Sequence, residues 1–149
     1  MPISIGENLS GAGWANYVTG AGYPNTIVPG VAGVNYFWPT HSEIDYYSQK
    51  GFDNIRLEFS WERLQPTANG SLDPTYLAAM KDDVAYATSK GLQVDLNPQN
   101  FGQYYGNFIG SAAVPNSVFA NMWSQLATTF KDNPLVIFGL INEPQQTSE

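Results

Sequence analysis

The sequence predicts an α/β fold in which four parallel strands are covered by helices. Three observations predict it: apolar strand-like runs alternate with helix-like segments, the last of these runs is continuously apolar, and residues typical of helix caps lie between them. A continuously apolar run is typical of a strand buried on both faces of a parallel sheet. With 149 residues, 43% of them hydrophobic, the chain is expected to form a single domain over residues 1–149.

The first strand is expected at residues 3–8, followed by a long loop rich in Gly, Asn and Tyr that runs to about residue 39. The first helix begins at Thr40, because a Thr cap and Glu43 three residues later match the capping-box pattern. It is expected to stop at Gly51, since glycine is the usual residue just after a helix.

The second strand is expected at residues 54–59. Asp73 and Pro74 then mark the start of the second helix, as a cap followed by a proline at the first helical position, and Gly91 ends it. The third strand follows at residues 92–97.

A second long loop is expected from residue 98 to about residue 116, and a third helix follows it. One face of that helix carries apolar side chains at helical spacing: Phe119, Met122, Trp123, Leu126 and Phe130. The fourth strand is the apolar run at residues 135–141, which leads directly into Asn142 and Glu143.

Four parallel strands with covering helices are half of an eight-stranded (β/α)8 TIM barrel, which usually takes about 250 residues. In a half-barrel the first and fourth strands are open edges, and residues meant for the barrel interior face solvent or a partner. We therefore expect self-association, pairing with a complementary half-barrel, or poor solubility.

Composition excludes several partner classes. The formal net charge is −7, so nucleic acid and anionic membranes are not expected partners. No apolar run approaches the roughly 20 residues that span a bilayer, and the first residues lack the pattern of a signal peptide. No cysteine is present, and one histidine with scattered acids does not predict a metal site, so neither a metal nor another cofactor is expected.

The chain is rich in aromatic residues, with 4 Trp, 9 Tyr and 8 Phe. Flat aromatic rings can stack on the apolar faces of sugar rings, and they can equally fill a core. Tyr104, in the Gly-rich loop after the third strand, and Trp61, after the second, are the candidate sugar contacts. Packing in the core remains the alternative for each.

Reacting groups of parallel barrels lie where strands end, because the loops there converge on one mouth. Every predicted strand carries polar residues at or near that end: Asn8, Arg56, Glu58, Asn97, Asn100, Asn142 and Glu143. Gln99, in the loop after the third strand, is a further candidate for binding a substrate hydroxyl.

Glu143 is the leading catalytic candidate. A carboxyl at the end of an apolar strand is expected to be partly desolvated, which raises its pKa and lets it donate a proton, as cleavage of a glycosidic bond requires. The alternative is that Asn142-Glu143-Pro144 is simply a polar turn.

Arg56 lies within an apolar strand, where an unpaired guanidinium is costly. It is expected to pair with a carboxylate or amide, either to orient a catalytic carboxylate or in a structural ion pair with Glu58 or Asp95. His41 is expected on the surface, in the first turn of the first helix, with a sugar contact as the alternative.

At these residues the sequence resembles glycoside hydrolase family 5, and within it the endo-β-1,4-glucanases (cellulases) related to the fungal enzymes. Segments 6–12, 51–57, 62–66, 98–106 and 133–138, the last leading into the Asn-Glu pair, carry the resemblance, which covers nearly the whole chain. It implies a secreted enzyme that acts on β-glucan with retention of configuration.

By that resemblance Glu143 is the acid/base, Asn142 contacts the sugar 2-hydroxyl and Arg56 supports the nucleophile, while Asn8, Gln99, Asn100, Trp61 and Tyr104 are expected to bind substrate. The family's nucleophile is a glutamate on strand seven, beyond the four strands of this sequence. Within the chain, Glu58 is the best substitute carboxylate by strand position.

The sequence departs from the family at three positions. Asn97 stands where the family has aspartate, Gln99 where it has histidine, and Gln103 where an arginine is usual. Gln99 carries no charge but can still bind a hydroxyl, so the change bears on catalysis more than on binding. An inactive glucan-binding or self-assembling half-barrel is therefore the alternative to an active glucanase.

Overall fold

The computed structural model describes residues 4–13 and 29–144. In chain order the elements are β1 (Gly6–Leu9), a 3-10 helix (Gly11–Gly13), α1 (His41–Gln49), β2 (Asn54–Phe59), α2 (Trp61–Leu64), α3 (Pro74–Ser89), β3 (Gln93–Pro98), β4 (Gln103–Tyr104), β5 (Asn107–Phe108), α4 (Asn116–Phe130) and β6 (Val136–Phe138). One sheet has the order β1-β2-β3-β6, and all three of its pairings are parallel. The predicted α/β fold with four parallel strands is confirmed.

The two faces of the sheet differ in polarity because side chains alternate along each strand. On β2 one face is fully buried in the core with the helices, through Ile55, Leu57 and Phe59. On the other face the register brings Arg56 opposite Asp95 and Glu58 opposite Asn97. The sheet therefore has an apolar face against the helices and a polar face on which Arg56 and Asp95 are only half-buried.

Helix boundaries follow the predicted capping residues. Oγ1 of Thr40 accepts from the backbone N–H of Glu43 at 3.2 Å, and Oε2 of Glu43 accepts from the backbone N–H of Thr40 at 2.7 Å. At the start of α3 the carboxylate of Asp73 accepts from the N–H of Tyr76 at 2.7 Å. Gly51, just beyond α1, has a φ of 83°, which glycine adopts without steric cost. The predicted capping box and both helix starts are confirmed.

Strand bounds differ from the prediction by a few residues. β1 begins at Gly6, and residue 3, its predicted start, lies outside the described residues. β6 has three residues instead of the seven predicted. Beyond it the chain still follows β3, because Gly139 N donates to Leu96 O at 2.9 Å and Asn142 N donates to Pro98 O at 3.0 Å. This continuation holds the end of β6 beside the end of β3.

Three elements were not predicted: the 3-10 helix Gly11–Gly13, the four-residue helix α2 and the antiparallel hairpin β4–β5. α2 is too short for a periodic pattern; its cap is Ser60, whose Oγ accepts from the N–H of Arg63 at 3.4 Å. In the hairpin turn Tyr105 and Gly106 both have positive φ, 45° and 73°. Such two-residue turns usually carry Asn-Gly or Asp-Gly, so a Tyr-Gly pair does not predict a hairpin turn.

Helix length also bears on membrane insertion. The longest helix, α3, has 16 residues, fewer than the roughly 20 that span a bilayer. In the described part of the chain, then, no helix combines the length and the apolar character of a membrane span.

Candidate active site

Polar side chains from β1, β2 and β3 and from the segment after β6 converge on the guanidinium group of Arg56. Its Nη1 donates to Oδ1 of Asn8, on β1, at 3.1 Å and also to Oε1 of Glu58. Its Nη2 donates to Oδ1 of Asn97, on β3, at 2.6 Å and to Oδ1 of Asn142, beyond β6, at 2.7 Å. One side chain thus connects the ends of β1, β2 and β3 with the segment that follows β6.

Arg56 pairs with Glu58, which confirms that its guanidinium has a carboxylate partner. The side chain of Glu58 is 3% exposed and that of Arg56 28%, so both charges have lost much of their hydration. Such a pair is tolerated because hydrogen bonds satisfy the remaining polar atoms. Asp95, the other predicted partner, forms no ion pair with Arg56; burial raises its pKa, and the nearby Arg56 charge opposes that rise. The ion-pair partner of Arg56 is therefore Glu58 and not Asp95.

Gln99 links the ion pair to Asn142. The orientation of its amide that satisfies both ends places the nitrogen 3.1 Å from each carboxylate oxygen of Glu58. Its oxygen then accepts from Nδ2 of Asn142 at 3.2 Å. Glu58 and Asn142 are thus each held by both Arg56 and Gln99, which leaves these side chains little freedom to rotate.

Two glycines that the sequence analysis did not single out shape this site. A Cβ at Gly13 would lie 2.9 Å from Cβ of Gln99 and 3.2 Å from Cβ of Glu58. A Cβ at Gly139 would lie 2.4 Å from Oδ1 of Asp95 and 2.7 Å from Nδ2 of Asn97. Such close approach is invisible in a single sequence, because a glycine in a loop is ordinarily explained by a turn.

Glu143 directly follows this network. Its φ is 36°, in the left-handed region that a residue with a side chain adopts rarely and that is often found at functional sites. Its side chain is exposed, whereas the sequence predicts a partly desolvated carboxyl. The reason is that no described residue buries this strand end: Pro144 is exposed as well, and Asn142 is half-buried.

The aromatic pair proposed as sugar contacts lies in the core. Trp61 is 0% exposed and Tyr104 4%. Their ring centroids are 4.3 Å apart, and Phe119 packs on the indole of Trp61 at 5.5 Å. Because neither ring presents a face to solvent in the described structure, the prediction of sugar stacking is wrong here and the alternative, core packing, holds.

Asn100 is also fully buried, and its amide bonds to residues of α2. Its Oδ1 accepts from the backbone N–H of Trp61 at 2.9 Å, and its Nδ2 donates to Oε2 of Glu62 at 2.7 Å. Glu62 is itself fully buried, and burial raises its pKa while the bond from Asn100 opposes that rise. The predicted substrate contact of Asn100 is therefore not what the structure shows; the side chain supports α2.

Replacing Asn100 by leucine is expected to lower the free energy of unfolding by about 2 to 4 kcal/mol, because it removes a hydrogen bond from two buried groups, one of them a carboxyl. Urea denaturation followed by circular dichroism measures this, with Asn116→Leu, at an exposed asparagine, as the matched control. An Asn100→Leu variant with unchanged stability and weakened glucan binding would contradict the structural role. It would indicate that Asn100 contacts the substrate instead.

The chain is similar to cellulases both at the level of the family and in individual curated proteins. A sequence model described as cellulase (glycosyl hydrolase family 5) matches residues 14–149. The chain is 39% identical to Endoglucanase 3 of Humicola insolens over 116 residues, which are 77% of this chain and 29% of that protein. It is 37% identical to Endo-beta-1,4-glucanase B of Aspergillus niger over 140 residues, 93% of this chain and 38% of the relative. The chain thus spans well under half the length of these relatives.

This chain also matches solved structures over less than half of their length. XacCel5A in complex with cellopentaose superposes with a TM-score of 0.88 and 37% identity, over 97% of this chain and 44% of that one. Pseudomonas stutzeri endoglucanase Cel5A in complex with cellobiose gives a TM-score of 0.86 and 34% identity, over 98% and 42%. Together with four parallel strands, this coverage identifies the fold as half of a (β/α)8 barrel.

Proposed function

Because the chain belongs to the cellulase family, glycosyl hydrolase family 5, we propose that it forms the acid/base half of a retaining endo-β-1,4-glucanase site. The observation that carries this proposal is the convergence of Asn8, Glu58, Asn97 and Asn142 on Arg56, immediately before Glu143. Reacting groups of parallel barrels lie at the strand ends. Hydrogen bonds among the neighbouring side chains hold such a group in one orientation.

In this proposal Glu143 gives a proton to the oxygen of the leaving sugar and later takes one from the attacking water. Its exposure leaves it accessible to a polymer chain.

Asn142 binds the sugar hydroxyl next to the reacting carbon. Its Oδ1 accepts from Arg56, so its Nδ2 is directed away from the guanidinium. An amide nitrogen has two hydrogens, and Gln99 takes one of them, which leaves the other for a substrate hydroxyl. Arg56 and Gln99 therefore act as positioning residues for Asn142.

The nucleophile is proposed to come from the remaining strands of the barrel, whether they belong to a longer chain or to a second one. A retaining mechanism needs a second carboxyl about 5 to 5.5 Å from the acid/base. Glu58 is a poor substitute, since it is buried and already holds Arg56 and Gln99. Its expected roles are to support the network and to fix Gln99.

The substrate is proposed to be β-1,4-glucan, since the relatives are named as endo-β-1,4-glucanases and two solved structures hold cellopentaose and cellobiose. A polymer of this kind is too large to cross a membrane, so the enzyme is proposed to act outside the cell.

Assembly with a second half-barrel is the other part of this proposal. The two outer strands of the sheet, β1 and β6, each pair on one side only. Near them, Ile5, Ile137 and Leu140 are 51%, 44% and 61% exposed. Unpaired strand edges beside apolar side chains favour addition of further strands. A second copy of the chain, or a complementary half-barrel, would pair with the strand edges and cover the apolar side chains.

The test is hydrolysis of carboxymethyl-cellulose by the purified protein, alone and together with a complementary half-barrel that carries the second carboxyl, measured across size-exclusion fractions whose mass is determined by light scattering. We expect activity in fractions that contain both halves and none in the monomer or in a dimer of this chain alone, which lacks a second carboxyl at the required spacing. The anomeric configuration of the first product, followed by NMR, is expected to be retained. A folded assembly that neither cleaves nor binds cello-oligosaccharide would contradict the proposed function.

A further inference from the structure

A second polar cluster lies on the helical layer, apart from the strand ends. It consists of His41, the first residue of α1, and the consecutive Asp82 and Asp83 of α3. One donor atom from each of the three side chains lies within 4.8 Å of the other two. Nε2 of His41 is 3.0 Å from Oδ2 of Asp82. Two helices thus bring one imidazole and two carboxylates together.

Asp83 is the unusual member of this cluster. The residue is 4% exposed, and its Oδ2 is buried with no hydrogen-bond partner among the described residues. A carboxylate is seldom buried unless a cation or hydrogen-bond donors compensate it. Asp82 and Glu43 add further negative charge around Asp83, while His41 opposes it. The buried oxygen therefore lacks the positive partner that its environment calls for.

Lys90 does not fill this role, because its Nζ lies 2.7 Å from Oδ1 of Asp45 and is engaged there. The His41 ring is held in place from the other side: it stacks on Tyr86 with centroids 3.7 Å apart and planes 4° from parallel. The hydroxyl of Tyr86 donates to Asp45 at 2.9 Å, which fixes the tyrosine in turn. The imidazole is thus oriented before any ligand arrives.

We propose that His41, Asp82 and Asp83 bind a divalent transition-metal ion of the Zn²⁺ class. Imidazole nitrogen with carboxylate oxygen is a donor set that Zn²⁺ accepts, whereas Ca²⁺ and Mg²⁺ prefer oxygen alone. The metal site would be open, with water completing the coordination.

The geometry requires a small adjustment on binding. Zn²⁺ bonds to nitrogen and oxygen are about 2.0–2.2 Å, which sets neighbouring donors roughly 3.3 Å apart. The side chain of Asp82 is 71% exposed, so it can close onto an ion held by the buried Asp83 and the oriented His41. Bound metal would link α1 to α3 and compensate the charge of Asp83.

The inference is tested by thermal unfolding in EDTA and in ZnCl₂, with MgCl₂ and CaCl₂ as comparison ions. At saturating Zn²⁺ we expect the Tm to rise by roughly 4–8 °C, and calorimetry to give one ion per chain. Mg²⁺ and Ca²⁺ are expected to give no comparable shift. Absence of a Zn²⁺ response, or an equal one to all three ions, would overturn the proposal.

Two variants locate the metal. Asp83→Asn removes a buried carboxyl whose Oδ2 has no hydrogen-bond partner among the described residues, so it is expected to stay folded in EDTA and yet to lose the Zn²⁺ response. His41→Gln should lose it too, whereas Asp132→Asn, the same change at an exposed acid, should keep it. A Zn²⁺ shift in Asp83→Asn as large as in the unaltered protein would overturn the assignment.

Discussion

Replacing Glu143 by glutamine is expected to lower the rate of glucan hydrolysis about 10²–10⁴-fold in every fraction where the unaltered protein is active. Glutamine has the same shape but cannot release a proton to the leaving sugar or accept one from water. Because the side chain is exposed, the free energy of unfolding should change by less than about 0.5 kcal/mol.

The measurement compares two substrates. Carboxymethyl-cellulose needs protonation of its leaving group, whereas a dinitrophenyl cellobioside does not, so Glu143→Gln should slow the first step far more for the polymer. Asp132→Asn, which removes an exposed carboxylate elsewhere, serves as the control. A variant that cleaves carboxymethyl-cellulose at the unaltered rate would assign the acid/base to another residue.

Replacing Arg56 by methionine is expected to lower the free energy of unfolding by about 3 to 5 kcal/mol, because it leaves the buried Glu58 without its cation. It also deprives Asn8, Asn97 and Asn142 of a shared donor. Arg56→Lys keeps the charge but not the planar fork, so we expect a smaller loss.

A double-mutant cycle separates the ion pair from the rest of the network. Adding Glu58→Gln to Arg56→Met removes the uncompensated charge and should restore part of the lost stability, as measured by urea denaturation. Lys131→Met, at an exposed cation, is the matched control. If Arg56→Met lowered the free energy of unfolding by less than about 1 kcal/mol, the guanidinium would form its hydrogen bonds with water rather than with Glu58.

Helix ends were predictable because each is decided by a few neighbouring residues. Thr40 with Glu43, and Asp73 at α3, satisfy backbone groups within one helical turn, so the local sequence contains the cause. The same holds for the polar residues at strand ends, since a parallel sheet sets them side by side.

Burial was not predictable, because it depends on segments far apart in the chain. Trp61 meets Tyr104, and Asn100 meets Glu62, across separations of about 40 residues. An aromatic ring or an amide in a polar loop gives the same local signal whether it faces a ligand or a core. Glu143 shows the converse, since its exposure follows from what packs around the strand end rather than from the strand itself.

The parallel sheet also sets an order of events during synthesis. Its neighbouring strands β1 and β2, β2 and β3, and β3 and β6 are each separated by about 40 to 50 residues, so β1 has no strand to pair with when it forms. At about 5–20 residues per second, β1 leaves the ribosome several seconds before β2 is complete. β1 is short and carries Glu7 and Asn8, and this polar character should limit its mispairing during that interval.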